Sequence, residues 1–158
     1  MLEALIHKEA EAASKRLQKQ HSGLKKELEK AYAYIVFPSV GRAGVVIGGA
    51  YGQGEVYEQG KEAGFATLSQ ITLGVQIGGQ TFTEIVLFNK KEAYEKFKRK
   101  GTVGFTANAS GVIMKAAASG TTNFADVVAH AYASGGMLLE ISLGGSKLMF
   151  IPSQISHN

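Results

Sequence analysis

Hydrophobic and polar positions change period twice along this chain, and each change marks a different kind of element. From residue 2 to residue 21 the apolar positions Leu2, Ile6, Ala10, Ala13 and Leu17 recur at spacings of four, four, three and four, which predicts an amphipathic helix. Ser22-Gly23 interrupts it. A second helical pattern runs from Leu24 to Ala33 through Leu24, Leu28 and Ala31, with Ser22 as its N-cap. Tyr34-Ile-Val-Phe-Pro38 then reads as a short β-strand closed by its proline. In the stretch Ile71 to Ile77, residues Ile71, Leu73, Val75 and Ile77 alternate with Thr72, Gly74 and Gln76, so one face of a strand is buried. Phe82 to Phe88, Phe105 to Ala109 and Met137 to Leu143 add further strands.

Between the strands, Lys90 to Lys100 has the helical period, with Asn89 as N-cap, Glu92 three residues on and Gly101 at the C′ position. Ala93, Tyr94 and Phe97 make its buried side. Residues 110 to 124 are small and polar, with Gly120 to Asn123 as a loop, and Asp126 to Ala133 reads as a last helix. Many short strands with few helices predict an α+β fold: amphipathic N-terminal helices over residues 1–33, packed on a curled, mainly antiparallel, glycine-rich sheet over residues 34–152. The sheet would be barrel-like or a sandwich, with one basic helix inserted, all in a single domain spanning 1–158.

Glycine shapes the sheet. Gly41 to Gly54 contains six glycines, and Gly-Gly pairs follow apolar runs at 48–49, 78–79 and 144–145. Such a pair suits either a two-residue turn needing positive φ twice or a strand that bends to curl a sheet. The run is no nucleotide loop: Gly49-x-x-Gly52-x-Gly54 reverses the dinucleotide order, no GK[ST] follows, and Glu55-Val-Tyr-Glu-Gln lacks an apolar helical face, leaving no helix N-terminus for a phosphate.

Composition narrows the chemistry. The chain has 158 residues, 45% of them hydrophobic, and no cysteine, which removes disulfides, thiolate metal sites and cysteine nucleophiles together. There is one aspartate, Asp126, and the four histidines His7, His21, His130 and His157 form no HxxxH or HxE arrangement. No Gly-x-Ser-x-Gly elbow is present. These features call for no enzyme, metal or cofactor. The N-terminus lacks a basic region followed by an apolar core, so no signal peptide is expected and the protein would be cytoplasmic and peripheral to membrane, or periplasmic or secreted if an export leader was removed. No run of about 20 apolar residues is present.

A net charge of +4 and a pI near 9.2 favour anionic surfaces but fall short of a nucleic-acid binder. Placement of the cations decides more. Lys8, Lys15 and Lys19 stack along one stripe of the first helix, with Arg16 bordering the apolar face. Lys91, Lys96, Lys98, Arg99 and Lys100 crowd the inserted helix. Either cluster reads as a solvated flank, favoured at a helix C-terminus by the dipole, or as a surface for lipid phosphates.

The stretch Ala33-Tyr-Ile-Val-Phe-Pro-Ser-Val-Gly-Arg-Ala-Gly-Val-Val-Ile-Gly-Gly-Ala-Tyr-Gly-Gln-Gly54 resembles the opening motif of the SYLF lipid-binding domain family. Leu73-Gly-Val-Gln-Ile-Gly-Gly-Gln80 with Ile85 to Leu87, and Tyr132 to Ser146, are similar to its later motifs, in the same order across residues 24–152. The resemblance implies a non-enzymatic module binding phospholipids, phosphoinositides in the eukaryotic members, with fungal relatives that contact actin. It implies a basic role for Arg42 and structural roles for Pro38, Gly44, Gly48, Gly49, Gly52, Gly54, Gly78 and Gly145. The family's Trp and Pro between glycine run and second motif are missing here, where Gly64-Phe-Ala-Thr-Leu-Ser forms a shorter connecting loop.

Peripheral binding to anionic phospholipid membranes is therefore the leading expectation, through Lys8, Lys15, Arg16, Lys19 and the Lys91 to Lys100 cluster, with Arg42 as a lesser contributor. Two rivals stand beside it. A self-assembling protein would pair through exposed strand edges. A small-ligand carrier or enzyme would need a pocket in the curled sheet, near His130 or Glu140.

Overall fold

The computed structural model describes residues 2–41, 49–73, 81–100, 102–107, 113–116, 127–133, 138–139 and 142–152. The elements, in chain order, are α1 (Leu2–Gln20), α2 (Leu24–Lys30), β1 (Ala33–Gly41), β2 (Gly49–Glu58), β3 (Lys61–Leu73) and β4 (Phe82–Phe88). They continue with α3 (Lys91–Lys100), β5 (Thr102–Ala107), β6 (Ile113–Ala116), β7 (Val127–Ala133), β8 (Leu138–Leu139) and β9 (Ser142–Pro152). Arg42, Gly44, Gly48, Gly78, Gly101, Asp126 and Glu140 lie outside the described residues, as do 74–77 of the expected alternating strand and the Gly120 to Asn123 loop.

The strands form one sheet in the order β6-β5-β9-β3-β2-β1-β4-β7-β8, and every described pairing is antiparallel. The sheet curls: Cα atoms of β6, at one end, come within 8 Å of β7, next to the other end. Its two faces bury two separate sets of side chains. On the concave face Ile35, Phe37, Val56, Ala66, Leu68, Val86, Ala129 and Leu148 pack together, and α3 closes over them with Tyr94 and Phe97. Phe97 stacks on Phe88 at 5.3 Å between ring centroids and meets Phe150 edge-on at 5.6 Å. On the convex face α1 and α2 lay Ala10, Ala13, Leu17, Leu24 and Leu28 against Val36, Tyr57, Ile85, Leu87 and Tyr132. β1 and β4 are covered on both sides, which is why Phe82–Phe88 reads as an unbroken buried run and not an alternation.

Glycines place β2 against β1. Val36 pairs with Glu55 and Ser39 with Gln53, so Phe37 and Pro38 together oppose the single residue Gly54. The β2–β3 connection is Gln59-Gly60, both at positive φ (54° and 79°), a two-residue hairpin turn that the Gln-Gly dipeptide marks only weakly. Of the Gly-Gly pairs, 144–145 lies inside β9. Ile71 pairs with Gly145 and Thr72 with Leu143, leaving Gly144 as the extra residue of a bulge, so this pair bends a strand and makes no turn.

Several expectations are corrected. Asp126 to Ala133 is not a helix: Val127 to Ala133 is a strand paired along its length with β4. Its alanines suit either state, but Val127, Ala129 and Ala131 enter the concave core while Val128 and Tyr132 pack on the convex one, a period of two. The supposed loop at Gly64 to Ser69 is the middle of β3, where Ala66 and Leu68 are buried. The second helix stops at Lys30, and Ala33 opens β1. Its N-cap is Gly23, which makes no side-chain capping bond, and not Ser22. Leu2, counted on the buried stripe, is half exposed, whereas Ser14 is buried in its stead; the first turn of α1 borders an open cleft with Pro38 and Tyr51. The inserted helix begins at Lys91, and the Lys90 carbonyl accepts its first bond, from Tyr94 N–H at 3.3 Å.

Candidate functional site

The docked stripe of α1 fixes the direction of its cations. With Ile6, Ala10, Ala13 and Leu17 buried, Lys8, Lys15, Arg16 and Lys19 all project into solvent. Lys15 is paired, its Nζ 2.9 Å from Glu11 Oε1 one turn back. Lys8, Arg16 and Lys19 have no acidic partner among the described residues. α2 adds exposed Lys25, Lys26 and Lys30, which the sequence reading passed over although 26 and 30 fall on one helical stripe. A cleft of about 320 Å³ separates α2 from the sheet, lined by Gln18, Lys25, Glu29, Tyr34 and the Gln59-Gly60 turn.

The cations of α3 are not equivalent. Lys91 and Arg99 are exposed, while Lys96 and Lys98 are half buried. Lys98 is engaged: its Nζ lies 3.3 Å from Glu58 Oε1 and 5.0 Å from the centre of the Tyr94 ring, so it ties α3 to the end of β2. Burial would raise the Glu58 pKa, but the nearby Tyr94 hydroxyl and the hydrogen bonds from Lys98 and Tyr32 outweigh it and hold the carboxyl below its ordinary value. Lys98 thus serves the fold more than a ligand. The Lys100 side chain and Arg42 lie outside the described residues, and among the described residues no hydrogen bond or ion pair joins the α1 cations to those of α3.

The most concentrated polar chemistry was missed entirely. His7 Nδ1 lies 2.7 Å from Glu55 Oε1 and 3.6 Å from Glu62 Oε1, and its Nε2 lies 3.3 Å from Glu11 Oε2. Glu55 is 3% exposed and also accepts a hydrogen bond from Tyr57 Oη, whose ring stacks on Tyr34 at 5.0 Å. The bond to Glu55 raises the His7 pKa, against partial desolvation, and the charges of Glu55, Glu62 and Glu11 add to it. Burial, then the bond to Glu55, raises that of Tyr57. Three separate segments supply this cluster, so no local spacing announces it. One signal was available: Glu55 and Tyr57 on one face of a strand-like run.

His130, the histidine singled out earlier, sits on the convex face 2.9 Å from Glu27 Oε2 of α2, beside Tyr132. His21 packs on the same Tyr132 ring at 4.9 Å. These contacts seat the helices on β7. On the concave side, where a carrier or enzyme would hold its ligand, the described side chains pack into one hydrophobic cluster that includes Phe37, Phe88 and Phe97.

A family model described as "Ysc84: Las17-binding protein actin regulator" matches residues 69–153. The chain belongs to the Ysc84 family. The SYLF resemblance of the sequence motifs is a likeness to this same family. Of the solved structures, a beta-barrel-like, uncharacterized protein from Brucella abortus is similar over 92% of this chain and 96% of its own, at 18% identity and a TM-score of 0.50. That likeness concerns the fold alone and agrees with the curled sheet. No curated protein matches. The Ysc84 match begins in the last part of β3 and runs through β9, taking in α3, whereas α1 and its cations precede it.

Proposed function

We propose that this Ysc84-family domain is a non-enzymatic module that associates peripherally with anionic phospholipid membranes. One observation carries the reading: Lys8, Arg16 and Lys19 point outward from a helix whose opposite face is locked in the core, without acidic partners among the described residues. Cations held this way near an anionic surface contribute on the order of 1 kcal/mol each, attenuated by salt. Lys25, Lys26 and Lys30 extend the same charge, and Lys91 and Arg99 offer a second contact. Phosphoinositide headgroups, with several phosphates, suit such clusters best. Liposome sedimentation tests this: anionic vesicles at low salt should recover the protein, neutral ones should not.

The family description favours a second reading, a protein partner in actin regulation. Co-sedimentation with filamentous actin in the absence of lipid separates the two.

A further inference from the structure

His7, Glu55 and Glu62 come from α1, β2 and β3, and one ligand atom of each lies within 4.8 Å of the other two. We propose that these three side chains form a binding site for a divalent transition-metal ion, zinc first among candidates, completed by water. The proposal does not depend on the membrane reading.

The geometry suits an ion. A tetrahedral centre with ligands at about 2.1 Å spaces neighbouring ligand atoms about 3.4 Å apart. The His7 Nδ1 separations from the two carboxylates, 2.7 and 3.6 Å, straddle that value, and the two carboxylate oxygens lie within 4.8 Å of each other. Both inner ligands already have a hydrogen-bonding partner that holds them. Glu11 stands 3.3 Å from His7 Nε2 and can accept its proton, fixing the tautomer that leaves Nδ1 free to ligate; Tyr57 Oη donates to Glu55. A carboxylate behind the imidazole and a hydroxyl that donates to the ligating carboxylate oxygen are supports of the kind that hold metal-binding His and Glu.

Charge gives a separate reason. Ligation requires a neutral imidazole, which then stands among three carboxylates, Glu11, Glu55 and Glu62, of which Glu11 is paired with Lys15. The two carboxylate ligands, Glu55 and Glu62, carry the charge that neutralises a dication. Exposure is graded too: Glu55 is buried, His7 half buried and Glu62 exposed, so an ion enters from the Glu62 side and keeps water there. One nitrogen and two carboxylate oxygens with open positions suit Zn²⁺ or Mn²⁺, whereas Ca²⁺ needs six or more oxygens and Cu⁺ prefers sulfur.

The test uses the full chain, freed of metal by chelator, titrated with zinc chloride alone in a calorimeter. One equivalent of zinc should bind. Glu62→Gln, on an exposed residue, should keep the far-UV spectrum of the wild type and weaken binding about tenfold or more, and His7→Gln should weaken it further. His21→Gln with His130→Gln should leave the affinity unchanged. Substoichiometric Mn²⁺ should broaden the amide NMR signals around His7, Glu55 and Glu62. Absence of a stoichiometric site, affinity indifferent to Glu62→Gln and His7→Gln, or a loss in the His21/His130 control would each overturn the assignment.

Discussion

Gly54 lies against Val36 so closely that a β-carbon added to it would overlap the Val36 carbonyl oxygen, and would reach to 2.7 Å from Phe37 Cδ1. This contact is where the glycine run meets the bulge of β1, and it lets two strands nest where a side chain would wedge them apart. Gly54→Ala should therefore destabilise the domain by about 1–3 kcal/mol, the usual cost of overpacking. Gly23→Ala, with nothing within 4 Å of the added carbon, should change stability by about 0.5 kcal/mol or less. Urea unfolding of the two variants checks the contrast.

Phe97 anchors α3 over the concave core between Phe88 and Phe150. Phe97→Ala should cost about 3–5 kcal/mol, enough to unfold a marginally stable domain near its working temperature. Lys98→Ala should cost far less, because half-exposed ion pairs contribute little. Thermal melts followed by circular dichroism would order the two.

Four of the six tyrosines, Tyr34, Tyr57, Tyr94 and Tyr132, have phenol pKa values raised above the ordinary 10.0, chiefly by burial; Tyr132 is pushed up to about 12, with the Glu27 charge adding. The folded state holds these protons more tightly than the unfolded one. Stability is then fully present below about pH 10 and is lost as pH rises through about 12. With no tryptophan in the chain, phenolate absorbance near 295 nm should rise in a late, steep step that coincides with loss of secondary structure. A smooth titration of all six near the ordinary value would contradict this burial.

Sequence periodicity located α1, α3 and β4 because each answers to one dominant packing face or to an unbroken buried run. It failed at Val127 to Ala133, where alanine is small enough for either state and cross-strand pairing with β4 decides. It failed at Gly64 as well, since a glycine inside β3 looks like a loop until the close approach of the Ile151 carbonyl oxygen, 2.9 Å from a hypothetical β-carbon, explains it. Of the candidate sites, the cations of α1 were legible as a helical stripe. The capture of Lys98 by Glu58 and the convergence of His7, Glu55 and Glu62 were not, because both are made by residues distant in sequence.

Outward charge on α1 is the centre of this account, and vesicle co-sedimentation of the wild type beside a Lys8→Gln, Arg16→Gln, Lys19→Gln variant tests it most directly. At about 1 kcal/mol per cation, the triple variant should bind phosphatidylserine- or phosphoinositide-containing vesicles roughly a hundredfold more weakly at low salt, with neither protein sedimenting on phosphatidylcholine alone. Equal recovery of the wild type on neutral and anionic vesicles, or an unchanged affinity in the variant, would contradict it.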